Sequence, residues 1–139
     1  MNDRRSRAVV LAGSAMWCLL IIAAPAFDMP TIYRFFSIVC HQDPHRSWYL
    51  AGEPLAVCIR CTCIYLGFFI GTLLSLEPNT AHLRLAALLT IGEFILARLV
   101  LDSAWLRAAT GLFLGIATAP FVVAGIHQML QTRFRREAV

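Results

Sequence analysis

Lysine is absent from the 139-residue chain, and all twelve basic residues are arginine. Charged residues of every kind reach only 14%, against roughly 25% in a soluble domain. That shortage excludes an ordinary water-facing surface. The net charge of +4 is no nucleic-acid footprint, because the arginines sit mainly at termini and at the ends of apolar runs. Low-complexity tracts and flexible linkers are missing too, and the length allows a single domain over residues 1–139. Five cysteines are an odd number, so at most two pairs form, and the disulfide framework of a secreted miniprotein is excluded.

What the chain has instead is hydrophobic residue, 59% of the total. A membrane span takes about 20 mostly apolar residues, and four segments qualify, at about 8–24, 57–76, 83–101 and 105–130. The fold class expected is all-α: a polytopic membrane protein with four transmembrane helices and a short interfacial helical segment. Arg4, Arg5 and Arg7 ahead of the first run, with Ala24-Pro25-Ala26 after it, imitate a signal peptide. Three further apolar segments follow, so the run is read as a retained helix. Pro120 lies within the fourth span and should kink it, or leave freed carbonyls in need of partners.

The long connection, 28–56, carries an apolar aromatic stretch from Thr31 to Val39, expected as the interfacial helix. Trp48 and Tyr49 read as headgroup-level anchors, and Gly52-Glu53-Pro54 as a turn into the second span. Arg4, Arg5, Arg7, Arg84, Arg133, Arg135 and Arg136 fall on one side, and Arg34, Arg46, Arg60 and Arg107 on the other. The positive-inside rule then places both termini in the cytoplasm of a multi-pass protein of the cell (inner) membrane, with the 28–56 loop extracytoplasmic. Gly67-Phe-Phe-Ile-Gly71 and Gly111-Leu-Phe-Leu-Gly115 are both G-x-x-x-G, a spacing that lets helix backbones approach closely in lipid. Cys63, Gly67, Gly71 and Ser75 form one small-residue stripe expected to meet another helix, with the fourth span as the candidate. The bilayer is thus the first partner. A membrane protein or a second copy docking on the G-x-x-x-G faces is the next, and nucleic acid is none.

Between residues 40 and 61 lie three of the five cysteines and two of the four histidines. A hydrophobic chain that gathers thiols and imidazoles in one loop binds a metal or handles electrons. Cys58 and Cys61 are three apart at a helix start and share a face. The helix N-terminus and Arg60 both favour thiolate there. Cys40-His41 can fold back onto that face, and Cys40, His41, Cys58 and Cys61 would supply the four N/S ligands of zinc or another thiolate-binding divalent metal. If only three bind, the open position can activate water. Other readings stay open: a thiol-disulfide oxidoreductase using the Cys58/Cys61 pair with Cys40 as relay and a quinone as acceptor; a metal-stapled accessory module that docks a membrane partner; and buried thiols that merely pack. Cys61 is not followed by His, so covalent haem is not indicated. His45, four residues from His41, is either a replacement for it as ligand or, the preferred reading, a solvated loop residue, and Cys18 and Cys63 read as packing thiols.

Charges within spans are costly and face protein or water. Glu93, Arg98 and Asp102 lie in or at the end of the third span, and Arg107 opens the fourth. Arg98 and Asp102, four apart, should pair, with Arg107 also reaching Asp102, while Glu93 has no cation at i+4. These residues form either an ion-paired clamp closing the hairpin or a polar floor under the cysteines. In the second reading Arg98 and Arg107 hold an anionic group and Glu93 carries protons; beside a metal with only three protein ligands, Gln42, Arg46, Arg60, Arg98 and Arg107 would orient an anionic headgroup.

At Cys40-His41-Gln42, Arg46-Ser47-Trp48 and Cys58-Ile59-Arg60-Cys61-Thr62-Cys63-Ile64-Tyr65-Leu66-Gly67 the chain resembles the small predicted membrane proteins of bacteria and archaea catalogued as domain of unknown function 2085. Their pattern is C-H-Q, then R-S-F, then C-x-R-C-T-G-I-Y-x-G. A further R-x-x-T-G element matches Arg107, Thr110 and Gly111, so the resemblance covers roughly residues 33 to 115. Cys63 stands where that family has Gly, which favours packing over ligation. The family does not fix a His at the position of His45, which makes His41 the better ligand. The resemblance implies a site and no activity.

Overall fold

The computed structural model describes residues 3–99 and 102–137, with side chains described for 4–99 and 102–131. Leu101, the expected end of the third span, and the side chains of Arg133, Arg135 and Arg136, counted toward orientation, lie outside those residues. Along the chain come α1 (Asp3–Ala26), α2 (Pro30–Phe36), a 3-10 turn (Pro44–Arg46), β1 (Tyr49–Leu50), β2 (Glu53–Pro54), α3 (Ile59–Leu74), α4 (Thr80–Leu99) and α5 (Ala104–Glu137). Arg4–Ala26, Thr80–Leu99 and Ala104–Gln131 are long and apolar enough to cross a membrane.

The expected second span is shorter than the apolar run that suggested it. Cys58 is an extended N-cap, and Ser75 ends the helix in the left-handed conformation at φ 53°. The 16 residues between them rise about 24 Å, below the roughly 30 Å of a hydrocarbon core. Residues 55–57 continue the apolar run outside the helix, packed into the buried cluster that contains Cys40. Asn79 caps the start of α4: its Oδ1 accepts from the backbone N–H of Ala81 at 2.9 Å and of His82 at 3.4 Å, an ordinary N-cap.

The two G-x-x-x-G faces meet each other. A Cβ on Gly111 would sit 2.7 Å from the Arg60 carbonyl oxygen, and one on Gly71 would sit 2.8 Å from that of Ile116. Gly67 lies against the Leu112 carbonyl and Gly115 against that of Ile64. The pairing advances in the same direction on both helices, so α3 and α5 run parallel at backbone contact. These faces are filled within the chain, so any partner or second copy must use other surfaces. α5 runs unbroken through Pro120. The Ile116 carbonyl, which that proline cannot serve, lies where only the hydrogens of Gly71 leave room for it.

α1 packs against α3 and α5, and α4 against α5. Arg7 on α1 closes the far end of α3: its Nε donates to the Thr72 carbonyl at 3.0 Å and its Nη2 to that of Leu73. Those carbonyls have no helical partner, and a cation suits a helix C-terminus. Ser6 lies 3.5 Å from His127 at the same end, and His127 also meets Gln131, so His127 has partners that the sequence did not suggest. The start of α1 and the later part of α5 thus share one end of the bundle, and the 28–56 loop covers the other.

In that loop the interfacial helix is shorter than expected. It begins at Pro30 and stops at Phe36, and Ser37–Cys40 turn back instead of continuing outward. In place of the expected Gly52-Glu53-Pro54 turn there is a two-residue hairpin. Tyr49 pairs with Pro54 and Leu50 with Glu53, and Ala51 and Gly52 have φ of 54° and 90°, the signs a type I′ turn requires. Ala at the first turn position and Pro in a strand both conceal this hairpin in the sequence.

Gly67→Ala places a methyl against backbone that cannot rotate away, and is expected to lower stability by about 1–3 kcal/mol. Gly92→Ala, mid-helix in α4 and meeting nothing within 4 Å, should leave stability unchanged or raise it by up to about 1 kcal/mol. Thermal unfolding of both variants in detergent, followed by circular dichroism, checks the difference.

Candidate metal centre

Cys58 and Cys61 occupy the N-cap and first turn of α3, and Cys40 reaches them from the end of the α2 connection. That connection is held tightly. The Cys40 N–H donates to the Phe36 carbonyl at 2.9 Å. Gln42, in the left-handed conformation at φ 49°, donates through Nε2 to the carbonyls of Tyr33 at 2.7 Å and Ala56 at 2.8 Å. The Tyr33 hydroxyl donates to the Pro54 carbonyl. Ile21, Ala24, Phe36, Leu55, Ala56 and Val57 pack around Cys40 as one buried cluster. The loop is therefore a lid fixed on both sides of the cysteines.

The three ligand sulfurs lie within 4.8 Å of one another. Sulfurs bound at about 2.3 Å to a tetrahedral ion stand roughly 3.8 Å apart, so small side-chain adjustments would suffice to grip one. The Cys58 N–H points at the Cys40 sulfur from 3.3 Å. Hydrogen bonds from the Cys58 and Cys61 thiols, and with them this N–H, hold the Cys40 thiol well below the usual thiol range, against burial that pushes it up. Cys18 and Cys63 are not in the group. Cys63 is buried against Gly111, in accord with a packing role.

His41 does not join the sulfurs. It is exposed and stands outside the cluster, because Cys40 turns its side chain inward and the next residue is carried outward, toward the left-handed bend at Gln42. His45, in the 3-10 turn, is exposed as well. Gln42, which was expected to help hold an anionic group, has its amide taken up by the lid.

Beside the cysteines runs a chain of alternating charges. Arg60 pairs with Glu93, whose other oxygen is 3.8 Å from Arg107 Nε. Arg107 pairs with Asp102, which lies 3.3 Å from Arg46, and Arg46 is 3.5 Å from Asp43. Three arginines and three carboxylates thus join α3, α4, α5 and the loop. Two expectations change. Glu93, without a cation on its own helix, is buried between guanidinium groups from two others. Arg98 does not pair with Asp102; it is exposed and lies over the Phe94 ring at 5.3 Å, while Arg107 and Arg46 occupy Asp102. Arg46, Arg60 and Arg107 are matched by the chain's own carboxylates, which suits the clamp better than an anion-holding floor.

Comparison with known proteins agrees with a membrane protein. A family profile described as "Predicted membrane protein (DUF2085)" matches residues 40–134. An uncharacterized protein of Methanocaldococcus jannaschii is 27% identical over 115 residues, covering 75% of this chain and 74% of that protein. An uncharacterized protein of Methanothermobacter thermautotrophicus is 39% identical over 64 residues, 43% of this chain and 58% of its own length. No solved structure matches. The chain belongs to this family of predicted membrane proteins.

Side chains of Glu93 and Arg107 are 2% and 5% exposed, so removing the carboxylate strands buried cations. Glu93→Ala is expected to cost about 3–5 kcal/mol, and Arg98→Ala well under 1 kcal/mol. Denaturant unfolding in mixed micelles separates the two.

Proposed function

We propose that this member of the DUF2085 family is a metal-binding membrane protein whose centre is a trithiolate of Cys40, Cys58 and Cys61, holding zinc or a similar divalent ion. The observation that carries the reading is the convergence of three sulfurs from two separate segments under a lid that Gln42 and Tyr33 hold shut. Cysteines scattered for packing have no reason to converge. His41 belonged to the ligand set on sequence grounds; its exposed position makes the fourth position open to an outside ligand. Three protein ligands and one free position are the pattern of catalytic zinc, where a bound ion acidifies water or polarises a carbonyl. The Arg60–Glu93–Arg107 network supports that centre by fixing the first turn of α3. Arg4, Arg5 and Arg84 are exposed at the opposite end of the bundle, which supports an extracytoplasmic centre with both termini in the cytoplasm of a cell-membrane protein.

A thiol–disulfide function is the second reading, favoured by the low-lying Cys40 thiol beside two further free thiols. Cys58 and Cys61 would then close a disulfide, giving two electrons and two protons to a disulfide or quinone acceptor.

Protein purified in detergent without chelator should carry about one zinc per chain by inductively coupled plasma mass spectrometry. Cys40→Ser, Cys58→Ser and Cys61→Ser should lose it, and His41→Ala should keep it. A metal-free wild type with paired cysteines by thiol counting would overturn the metal reading in favour of exchange. Loss of zinc in His41→Ala would restore the histidine as fourth ligand.

Thiolates must be deprotonated to bind metal, so zinc should be released as pH falls and retained above neutrality. Zinc release monitored with a chromophoric chelator across a pH series tests this. Gln42→Ala, which removes both carbonyl contacts of the lid, should release it at a higher pH than wild type.

A further inference from the structure

The surroundings of the three sulfurs decide which ion they complete. Among the described residues no histidine, aspartate or glutamate joins Cys40, Cys58 and Cys61, and His41 is exposed outside the group. One turn below Cys61, Tyr65 lines a cleft of about 670 Å³ between α1, α3 and α5, walled by apolar side chains such as Val10, Phe68 and Ile126. Its two hydroxyls are engaged, Ser14 with the Leu11 carbonyl at 3.0 Å and Tyr65 with the Trp17 indole. No fourth ligand therefore comes from below. A linear ion would leave one sulfur idle, and a tetrahedral ion has to borrow its fourth ligand from solvent.

Charge points the same way. Three thiolates carry three negative charges, so a divalent ion leaves one uncancelled and a monovalent ion two. Uncompensated charge is costly in apolar surroundings, and Cys40 is buried among Ile21, Phe36 and Val57. The arginines beside the centre are already matched. Arg60, on the same turn as Cys58 and Cys61, pairs with Glu93, while Arg107 is shared by Glu93 and Asp102, and Arg46 by Asp102 and Asp43. The α3 N-terminus supplies only a partial positive charge. A trivalent thiophilic atom cancels the three thiolates. In its pyramidal form a lone pair occupies the fourth position, so no further ligand is needed.

We propose that the centre takes a trivalent thiophilic oxyacid of the arsenous acid class, held by Cys40, Cys58 and Cys61 together. The inference rests on the reading of these sulfurs as one centre and names the guest that fits it. Three S–H and three As–OH bonds give way to three As–S bonds and three waters, with no electron transferred and no net charge moved. Cys58 and Cys61 are half-buried, which leaves the uncharged acid a way in. Protein reduced with a phosphine and given sodium arsenite should bind about one arsenic per chain, and X-ray absorption should show three sulfurs and no oxygen around it. Arsenite should displace bound zinc, read with a chromophoric chelator. Cys40→Ser and Cys61→Ser should each weaken half-saturation by about tenfold or more, and Cys18→Ala with Cys63→Ala should leave it unchanged. Unfolding midpoints identify the folded variants, and the absorption spectrum of the wild type needs none of them. Two sulfurs and an oxygen around arsenic, or affinity unchanged in folded Cys40→Ser, overturns the proposal in favour of ordinary capture by the Cys58/Cys61 pair. Zinc that is retained against excess arsenite sinks this proposal and leaves the metal reading standing. A three-sulfur arsenic shell in protein purified without zinc upholds it and removes zinc as the resident ion.

Discussion

The backbone contact between α3 and α5 is the constraint on which the other arrangements depend. Four glycines let carbonyl oxygens of each helix approach the α-carbons of the other. In lipid there is little hydrophobic drive to bring helices together, so close packing of this kind has to supply much of the association. The contact sets Arg60 and Arg107, both in the first turn of their helices, on a common level where one carboxylate from α4 can serve both. It also fixes the start of α3, and with it the positions of Cys58 and Cys61.

The outer loop depends on the same frame but is secured by different means. Its backbone would be costly to bury unsatisfied at the membrane boundary. The Gln42 amide, the Tyr33 hydroxyl and the hairpin take up its carbonyls. Apolar contacts of Phe36, Ala56 and Val57, each 0% exposed, close the space behind Cys40. The lid and the bundle thus meet at the cysteines, where a polar thiol cluster bears on an apolar core. Ion pairs then tie the lid to the far side of the bundle, with Arg46 reaching from the loop to Asp102. The whole Cys-bearing end is a closed structure in which metal, if held, sits under fixed backbone and beside neutralised charge.

Much of this was legible from residue spacing. Apolar runs indicated an all-helical membrane chain, and the G-x-x-x-G stripes identified the faces that meet. The C-x-x-C spacing put two thiols on one helical face, and the motif neighbourhood singled out Cys40. Glu93 was misread because helix periodicity reports only neighbours three or four residues away, and its partners lie 33 and 14 positions off in the sequence. Arg98 was misread for the converse reason: the right spacing for Asp102 existed, but Asp102 turns to Arg46 and Arg107 instead. Gln42 appeared as one letter of a motif, with nothing in the sequence to reveal that its amide bridges two carbonyls.

By itself, then, the sequence determined that this is an α-helical membrane chain with a thiol-rich loop, because composition and local periodicity are properties of neighbouring residues. Tertiary structure alone decided that His41 faces outward while Cys40 faces in. It also decided that three arginines are matched by three carboxylates, and that a cleft remains beneath the cysteines. Each of those depends on how distant segments share space, and a one-residue change of backbone direction, such as the left-handed bend at Gln42, is enough to separate two adjacent ligand candidates.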